Sequence, residues 1–177
     1  ERILDAAEAE IAEAGVAGAT MAAIAVRAGC SRATVYAYFP NRHQLRLAVV
    51  NRGAVRVARE VVGATATIAD PGHRLTEALL RSVEAVRSTP TLAAWFRPAE
   101  QGYAHELAHS SQVVDAVTSG FVEALGGDAE DQALRAQWIV RVVISLLTAP
   151  GRDQAEERAL VERIVTPGLL ATTNERA

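Results

Sequence analysis

Residues 20–43 read TMAAIAVRAGCSRATVYAYFPNRH and hold two short helical patterns separated by a tight turn. Thr20 and Ser31 are each suited to cap a helix N-terminus, because a hydroxyl oxygen accepts a hydrogen bond from an unpaired backbone N–H. Gly29 stands between the two patterns, where a chain leaving a helix commonly needs a positive φ. Pro40 ends the second pattern, since the residue before a proline avoids the α region. The stretch therefore predicts two short helices joined by a glycine turn.

The two predicted helices, at residues 21–28 and 32–39, form a helix-turn-helix. In the second helix Val35 and Phe39 are four residues apart and predict a buried face. The opposite face is left with polar and small side chains: Arg32, Ala33, Thr34, Tyr36, Ala37 and Tyr38. Because the second helix of such a unit enters the major groove, we expect residues 32–39 to face DNA.

The distribution of charge supports an anionic partner, although the net charge of the whole chain is −3. Between residues 20 and 60 the only acid is Glu60. The arginines of the same stretch are Arg27, Arg32, Arg42, Arg46, Arg52, Arg56 and Arg59. Arginine neutralises phosphates and releases counterions, so a basic segment in an acidic chain is typical of a DNA-contacting surface. A solvated helix face is the alternative interpretation.

At these residues the chain resembles the tetracycline-repressor (TetR) family of bacterial transcription regulators. The residues that carry the resemblance are Thr20, Ile24-Ala25, Ala28-Gly29, Ser31-Arg32, Thr34-Val35-Tyr36, Tyr38-Phe39-Pro40 and Asn41-Arg42. The family usually has Gly where Ala33 stands, and commonly His or another polar residue where Ala37 stands. Ala37 can contact a thymine methyl but cannot hydrogen-bond to a base edge.

The resemblance, together with the outward spacing of polar residues, implies roles in DNA binding. Arg32 and Thr34 are the expected readers of base edges, and Arg32 is expected to prefer guanine. Tyr36 is expected at a base or a phosphate, and Ala33 at a close approach of the backbone to DNA. Phosphate contacts, which fix register without specifying sequence, are expected from Thr20, Ser31, Tyr38, Arg42 and His43.

Helical patterns continue through the rest of the chain and predict an all-α protein. Half of the residues are apolar, and long Ala-rich stretches show little β-branched alternation. A first helix over residues 1–14, ended by the following glycines, completes a three-helix DNA-binding domain. We expect that domain to comprise residues 1–46, and a helical effector-binding and dimerisation domain to comprise residues 47–177. A helix from about residue 42 to 63, capped by Asn41, would link the two.

The last two predicted helices, at about residues 129–148 and 153–166, carry more apolar surface than one core needs. The first of these helices is apolar on nearly all sides, so other helices must cover it on two opposite sides. Pro167-Gly168 is expected to stop or kink the second. In the TetR family the last two helices pair with their copies, and a two-fold dimer matches a near-palindromic operator in double-stranded DNA. We therefore expect a homodimer; the alternative is that both helices are the core of a monomer.

The middle of the chain, with predicted helices at about residues 73–88, 91–97 and 99–125, resembles the family's effector-binding core only in its helical layout. Pockets between helices are common ligand sites. Side chains that would line one are Trp95, Phe96, Tyr103, His105, His109, Phe121 and Trp138. Plain core packing is the alternative for each aromatic residue. The expected effector is a small, largely apolar molecule whose binding shifts the linking helix and releases a repressor from DNA.

His105-Glu106-Leu107-Ala108-His109 matches the H-E-x-x-H pattern of zinc peptidases. On a helix the two imidazoles lie one turn apart and can hold zinc, with Glu106 as general base. Gln112 and Asp115 stand where the longer pattern has Gly and His. His73 and Glu123 are possible third ligands, although nothing in their placement favours them. A zinc-dependent hydrolase is the alternative function. The expected function is a DNA-binding regulator with no catalytic residue, metal or cofactor.

Location in the cell is expected to be cytoplasmic. No apolar run reaches eighteen residues, so no transmembrane helix and no membrane partner are expected. No signal-peptide pattern is recognised at the start. Cys30 is the single cysteine, which excludes an internal disulfide and is interpreted as a small buried side chain.

Overall fold

The computed structural model describes residues 1–100, 102–103, 111–123 and 125–171. Over these ranges the chain is helical and contains no strand, which confirms the predicted all-α class. In chain order the helices are α1 (Arg2–Gly18), α2 (Met21–Arg27), α3 (Arg32–Tyr38), α4 (Arg42–Thr65), α5 (Pro71–Ser88), α6 (Pro90–Ala93) with a 3-10 turn (Ala94–Phe96), α7 (Gln112–Glu123), α8 (Ala129–Thr148), and α9 (Gln154–Leu160) joined by a π-helical turn (Val161–Val165) to α10 (Thr166–Leu170).

Packing divides the chain into two compact units. The first unit comprises Glu1–Gly53 and Arg87–Ser111, and the second comprises Ala54–Val86 and Gln112–Ala177. The predicted boundary after residue 46 concerns which part binds DNA and which part binds an effector, and it stays a prediction.

Side-chain caps begin three helices of the first unit where the sequence predicts them. Thr20, Ser31 and Asn41 each accept a hydrogen bond from the backbone N–H three residues further along, over 3.1, 3.1 and 2.9 Å. Each bond satisfies one of the N–H groups that a helix start leaves unpaired. Gly29, with a φ of 63°, turns the chain between α2 and α3 as predicted. Local chemistry therefore sets the start of α2, α3 and α4.

One buried cluster forms the core of the first unit. Ile11, Ile24, Val35 and Leu45, from α1 to α4, are each at most 2% exposed, and Trp95 from the 3-10 turn is buried with them. Residues 87–111 thus belong to the same packed body as the helix-turn-helix. The sequence predicts a helix starting at residue 91, but α6 starts one residue earlier, because proline is tolerated at the first position of a helix.

We call α9, the π-helical turn and α10 together the last helical stretch (residues 154–170). The core of the second unit is built from α5, α7, α8 and this last helical stretch. Leu79, Val122, Leu146 and Val161 are among its most buried members. The bounds of α8 are those that the sequence predicts. Of the predicted helix over 99–125, residues 102–103 and α7 are helical and residues 98–100 form a turn, while residues 101, 104–110 and 124 lie outside the described part of the chain.

The end of the chain corrects one prediction. Pro167-Gly168 is expected to stop or kink the last helix, and the predicted stop is wrong because helical structure continues to Leu170. The backbone widens into a π-helical turn just before the proline, so that the Thr166 N–H bonds to the carbonyl of Val161. A proline cannot donate to the preceding turn, and the wider turn places it at the start of α10.

Polar contacts inside the second unit tie α5 to this last stretch. Thr76 Oγ1 lies 2.8 Å from Thr166 Oγ1 in a buried hydrogen bond. Arg158 donates to Glu77 over 2.7 Å, and this hydrogen bond lowers the pKa of the Glu77 carboxyl below its ordinary value. The ionic and hydroxyl contacts therefore hold the helices of this unit together.

Candidate nucleic-acid interface

Helix α3 presents the side chains that the sequence assigns to DNA. Val35 is fully buried, whereas the exposed residues of the helix are Arg32, Ala33, Thr34, Tyr36, Ala37 and Tyr38. With 3.6 residues per turn, Ala33 and Ala37 point most directly away from the buried face. The centre of the outward surface is therefore two methyl groups, with larger polar side chains along both edges.

Two recesses border α3. The Arg32 recess is lined by Thr20, Met21, Ala22, Arg32, Tyr36, Pro40, Asn41 and Arg42. The Tyr38 recess is lined by Glu1, Arg2, Ile3, Leu4, Ala28, Cys30, Thr34, Tyr38 and Phe39. The structure thus brings four of the predicted residues together in the first recess, and places Thr34 with Tyr38 in the second. The Arg32 recess contains two arginines and no acid, so its charge suits a phosphate.

The hydroxyl groups of this surface are partly engaged. Thr20 Oγ1 accepts the capping hydrogen bond of α2, which leaves its O–H free to donate. Ser31 Oγ lies 2.9 Å from Thr34 Oγ1, so one of these two hydroxyls donates to the other. A single hydroxyl proton of the pair is therefore left for a base or a phosphate. Tyr36, Tyr38 and His43 are exposed.

Arg27 does not belong to the DNA-facing surface. Its guanidinium pairs with two acids of α1, at 2.6 Å from Glu10 and 2.5 Å from Glu13. The hydrogen bond to Glu10 and then that to Glu13 raise the pKa of Arg27 above its ordinary value. The positive charge is therefore balanced within the protein.

The charge of Arg52 is likewise paired with acidic side chains of the protein. It contacts Glu1 at 3.2 Å, Asp5 at 2.7 Å and Glu8 at 2.8 Å. Burial works against its charged form, but the hydrogen bonds to Glu8 and Asp5 outweigh that effect and raise the pKa of Arg52. The interpretation of the whole arginine-rich stretch as a DNA-contacting surface is thus corrected, because acids of α1 occupy Arg27 and Arg52.

The remaining arginines differ in availability. Arg46 donates to the carbonyl of Val16 at 2.6 Å and lies 4.3 Å above the Tyr103 ring. Arg42 makes only a long contact of 3.5 Å with the carbonyl of Ala17. Among the residues that the structure describes, none hydrogen-bonds or pairs with the exposed Arg32 guanidinium. Arg32 and Arg42 are therefore the cations of the helix-turn-helix best placed for DNA.

Arg2 is a residue of this surface that the sequence did not reveal. Its guanidinium donates to the carbonyl of Ala28 at 2.6 Å and lines the Tyr38 recess. The contact fixes the end of α2 just before the turn into α3. Because Arg2 and Ala28 are 26 residues apart, no local sequence pattern could have indicated this contact.

The predicted effector-binding residues fall in both units. Trp95, Phe96 and Tyr103 lie in the first unit, where Trp95 is 2% exposed and part of the core. Phe121 and Trp138 lie in the second unit. His105 and His109 lie outside the described residues. A shared pocket for these side chains stays a prediction.

In the described ranges no helix is both long and apolar enough to cross a membrane. No group of three His, Cys, Asp or Glu side chains that could hold a metal ion occurs in that same part of the chain. The H-E-x-x-H stretch falls among residues that the structure does not describe.

Solved structures share this fold over nearly the whole chain. The R. erythropolis transcriptional repressor QsdR, from the TetR family, matches with a TM-score of 0.66 at 21% identity, covering 99% of this chain and 96% of that one. The TetR family repressor AlkX from Dietzia sp. strain DQ12-45-1b, implicated in biodegradation of n-alkanes, matches with a TM-score of 0.64 at 20% identity, covering 98% and 97%.

Sequence comparison identifies the family directly. Residues 3–49 match the family described as bacterial regulatory proteins, tetR family. A helix-turn-helix-type transcriptional regulator of Mycobacterium tuberculosis (strains CDC 1551 / Oshkosh and ATCC 25618 / H37Rv) is 41% identical over 168 residues, which cover 94% of this chain and 83% of that protein. These relatives are regulators rather than enzymes. The chain therefore belongs to the TetR family of DNA-binding transcription regulators and is not an enzyme.

Proposed function

We propose that this regulator is a repressor that binds a near-palindromic operator as a two-fold homodimer and is released by a small, largely apolar molecule. DNA binding is assigned to residues 1–46, and effector binding and dimerisation to residues 47–177. The observation that carries the proposal is the Arg32 guanidinium, which is exposed on α3 and unengaged by any described residue, while Arg27 and Arg52 are balanced by acids. Repression is supported by the shared fold of QsdR and AlkX.

The Arg32 recess supports a first set of proposed contacts, on one edge of α3. Arg32 donates two hydrogen bonds to O6 and N7 of a guanine in the major groove. Thr20 and Arg42, which line the same recess, hold a phosphate, and Tyr36 contacts that phosphate or the adjacent base. Because the recess contains no acid, an anion meets no repulsion there.

The opposite edge of α3 supplies a second set of contacts. Thr34 donates its hydroxyl proton to Ser31, so the Thr34 oxygen reads a base by accepting from an exocyclic amine, and the Ser31 proton stays free for a phosphate. Ala33 allows close approach of the backbone. The remaining phosphate contacts come from Ser31, Tyr38 and His43, which are all exposed.

The homodimer is supported by exposed apolar side chains on α8 and the last helical stretch. Leu134 is 58% exposed and Trp138 is 49% exposed, four residues apart on one face of α8. Leu160 and Ile164 repeat this arrangement on the last stretch, and Ile164 is 67% exposed. Solvent-exposed apolar residues on one helix face are typical of an interaction surface. Residues 129–148 and 153–166 of a second copy cover them in a symmetric four-helix interface.

The proposed release mechanism uses α4. This helix starts at the caps beside the DNA-facing surface and ends in the second unit. An effector that binds one of two states more tightly shifts α4 and changes the spacing of the two recognition helices. The residues proposed to contact that effector are Trp95, Phe96, Tyr103, His105, His109, Phe121 and Trp138.

Selection of duplexes from a random library by the purified protein, repeated over a range of salt concentrations, tests the DNA-binding proposal. We expect enrichment of a near-palindromic site and a steep fall of affinity as salt rises. The enriched site is then placed between a promoter and a reporter gene. Lower reporter output in the presence of the regulator supports repression, whereas higher output identifies an activator. Failure to enrich any duplex, even at low salt, overturns the proposal.

A further inference from the structure

The junction between α1 and α2 has a backbone break that side chains from elsewhere in the first unit complete. Gly15 has φ 78° and ψ 171°, so regular helix ends there and a single further turn leads to Thr20. Such a break leaves backbone N–H and C=O groups without helical partners. Val16 is fully buried and Ala19 is 3% exposed, so those groups need partners from the protein.

Four side chains supply these partners. Before the break, Arg97 donates to the carbonyl of Ala12 at 3.3 Å. After it, Glu100 Oε1 accepts the N–H of Ala17 at 3.0 Å. Two carbonyls after the break are reached from α4, by Arg46 and by the longer contact of Arg42. Arg97 and Glu100 therefore hold the two sides of the break from the segment that follows α6.

Glu100 is the distinctive member of the set. It is an acid only 7% exposed, and its Oε1 accepts the Ala17 N–H, while no described residue donates to its Oε2. A methyl group at position 15 would lie 3.1 Å from Glu100 Oε1. A carboxylate is thus packed directly against the glycine break and acts as the cap of the turn that leads to Thr20.

We propose that Glu100 is a positioning residue for DNA binding, because it fixes the turn from which α2 and the Thr20 cap begin. It acts through the backbone of Ala17 and touches no DNA. The segment after α6 thereby has a contact with the DNA-binding surface that does not pass along α4. This inference rests on the proposed DNA-binding surface.

The test compares Glu100→Ala and Glu100→Gln with a matched control, Thr91→Val. Thr91 lies in α6, just before that segment, and also bonds to the α1 backbone, at the carbonyl of Glu8 over 3.2 Å, but on the other side of the break. Glutamine keeps an acceptor for the Ala17 N–H, and its amide nitrogen replaces Oε2, which has no donor among the described residues. Affinity for the selected duplex, the salt dependence of that affinity and amide exchange at Ala17 are measured for each folded variant.

Glu100→Ala is expected to weaken binding about tenfold, the loss of one buried hydrogen bond. Its salt dependence should stay native, because no phosphate contact is removed, and exchange at Ala17 should accelerate. Glu100→Gln and Thr91→Val should bind within about twofold of the native protein. If Glu100→Ala does not fold, Glu100→Asp, which withdraws the acceptor by one methylene, carries the same expectation.

The inference is overturned if Glu100→Ala binds like the native protein, if glutamine fails to restore binding, or if Thr91→Val loses as much affinity. These results leave the proposed function intact, since the native protein still selects a duplex. Absence of any selected duplex for the native protein removes the proposed function and this inference together.

Discussion

The two units of the chain expose different chemistry. Around α3, the first unit presents Arg32, Tyr36 and Tyr38, whose polar ends reach solvent. On α8 and the last helical stretch, the second unit exposes Trp138 and Ile164 together with further apolar side chains. A polar, cationic edge suits a polyanion, whereas an apolar surface suits another protein surface.

This difference shows that the partner of each surface is indicated by the side chains that remain without a partner inside the protein. In the first unit the arginines that remain unpaired are more informative than their number, because Arg27 and Arg52 are balanced by acids of α1. In the second unit Arg158 pairs with Glu77, and the exposed side chains that share helix faces on α8 and the last helical stretch are apolar. Net charge describes neither surface.

The largest expected effect follows from placing a charge on the apolar surface of the second unit. Ile164→Glu should raise the dissociation constant of the dimer at least about a hundredfold, because a charge would be buried without a partner. Sedimentation and light scattering measure the change. Ile164 is 67% exposed in the single chain, so the fold of the monomer should survive.

The matched control for that variant is Val62→Glu. Val62 is 55% exposed in the same unit but lies on α4, which is not one of the proposed interface helices. It should remain dimeric. Equal dissociation of both variants would show that added charge, and not the position on the last helical stretch, controls assembly.

The next largest effect concerns the polar edge of the first unit. Arg32→Ala should cost about 1–3 kcal/mol and relax the base preference at one operator position. Arg27→Ala removes an arginine from the neighbouring helix but one that is already paired. It should leave the preference and the salt dependence unchanged. A uniform loss of affinity for all sequences in Arg32→Ala would contradict its assignment to a base.

Arg42→Ala separates phosphate binding from base recognition. It should weaken binding to all sequences similarly and reduce the slope of log affinity against log salt by about one. Repeating the library selection at several salt concentrations measures both effects. A changed base preference with a native salt slope would move Arg42 from the phosphate to the base contacts.

The smallest expected effect tests the internal ion pair of the second unit. The pKa of Glu77 is lowered in the folded protein, so the pair stabilises the fold above the unfolded pKa and loses that contribution as pH falls through the lowered folded value. Glu77→Gln should therefore be less stable than the native protein at neutral pH. The cost should be under about 1 kcal/mol, since Arg158 is 43% exposed and screened by solvent.

Denaturant unfolding from pH 7 down to about pH 3 follows this difference, which should shrink towards acid pH. Glu162→Gln is the control, because Glu162 meets the same arginine at 3.2 Å but is 46% exposed. A larger effect of Glu162→Gln, or a difference that grows on acidification, would refute the assignment to Glu77.

Features set by neighbouring residues could be predicted from the sequence. The caps at Thr20, Ser31 and Asn41, the positive φ of Gly29 and the bounds of α8 all follow from chemistry within a few residues. The family resemblance rests on the same local stretch, which is why the fold class was accessible.

Features set by distant residues could not be predicted. The partners of Arg52 lie 44 or more residues away on α1, and Glu100 meets Ala17 across 83 residues. One signal was present, since Glu1, Asp5 and Glu8 recur at helical spacing and predict an acidic stripe on α1. That stripe indicates a basic partner without saying which arginine supplies it. The π-helical turn before Pro167 likewise depends on packing that the proline alone does not reveal.

The two alanines at the centre of α3 have a consequence for how such regulators diverge. Ala33 and Ala37 are exposed, carry no side-chain hydrogen bond and have no part in the buried cluster of the first unit. A polar residue at position 37 would reach a base edge while leaving the scaffold intact, whereas one at position 33 would also hold the backbone away from DNA. A single substitution at position 37 is therefore expected to change operator preference without first costing stability.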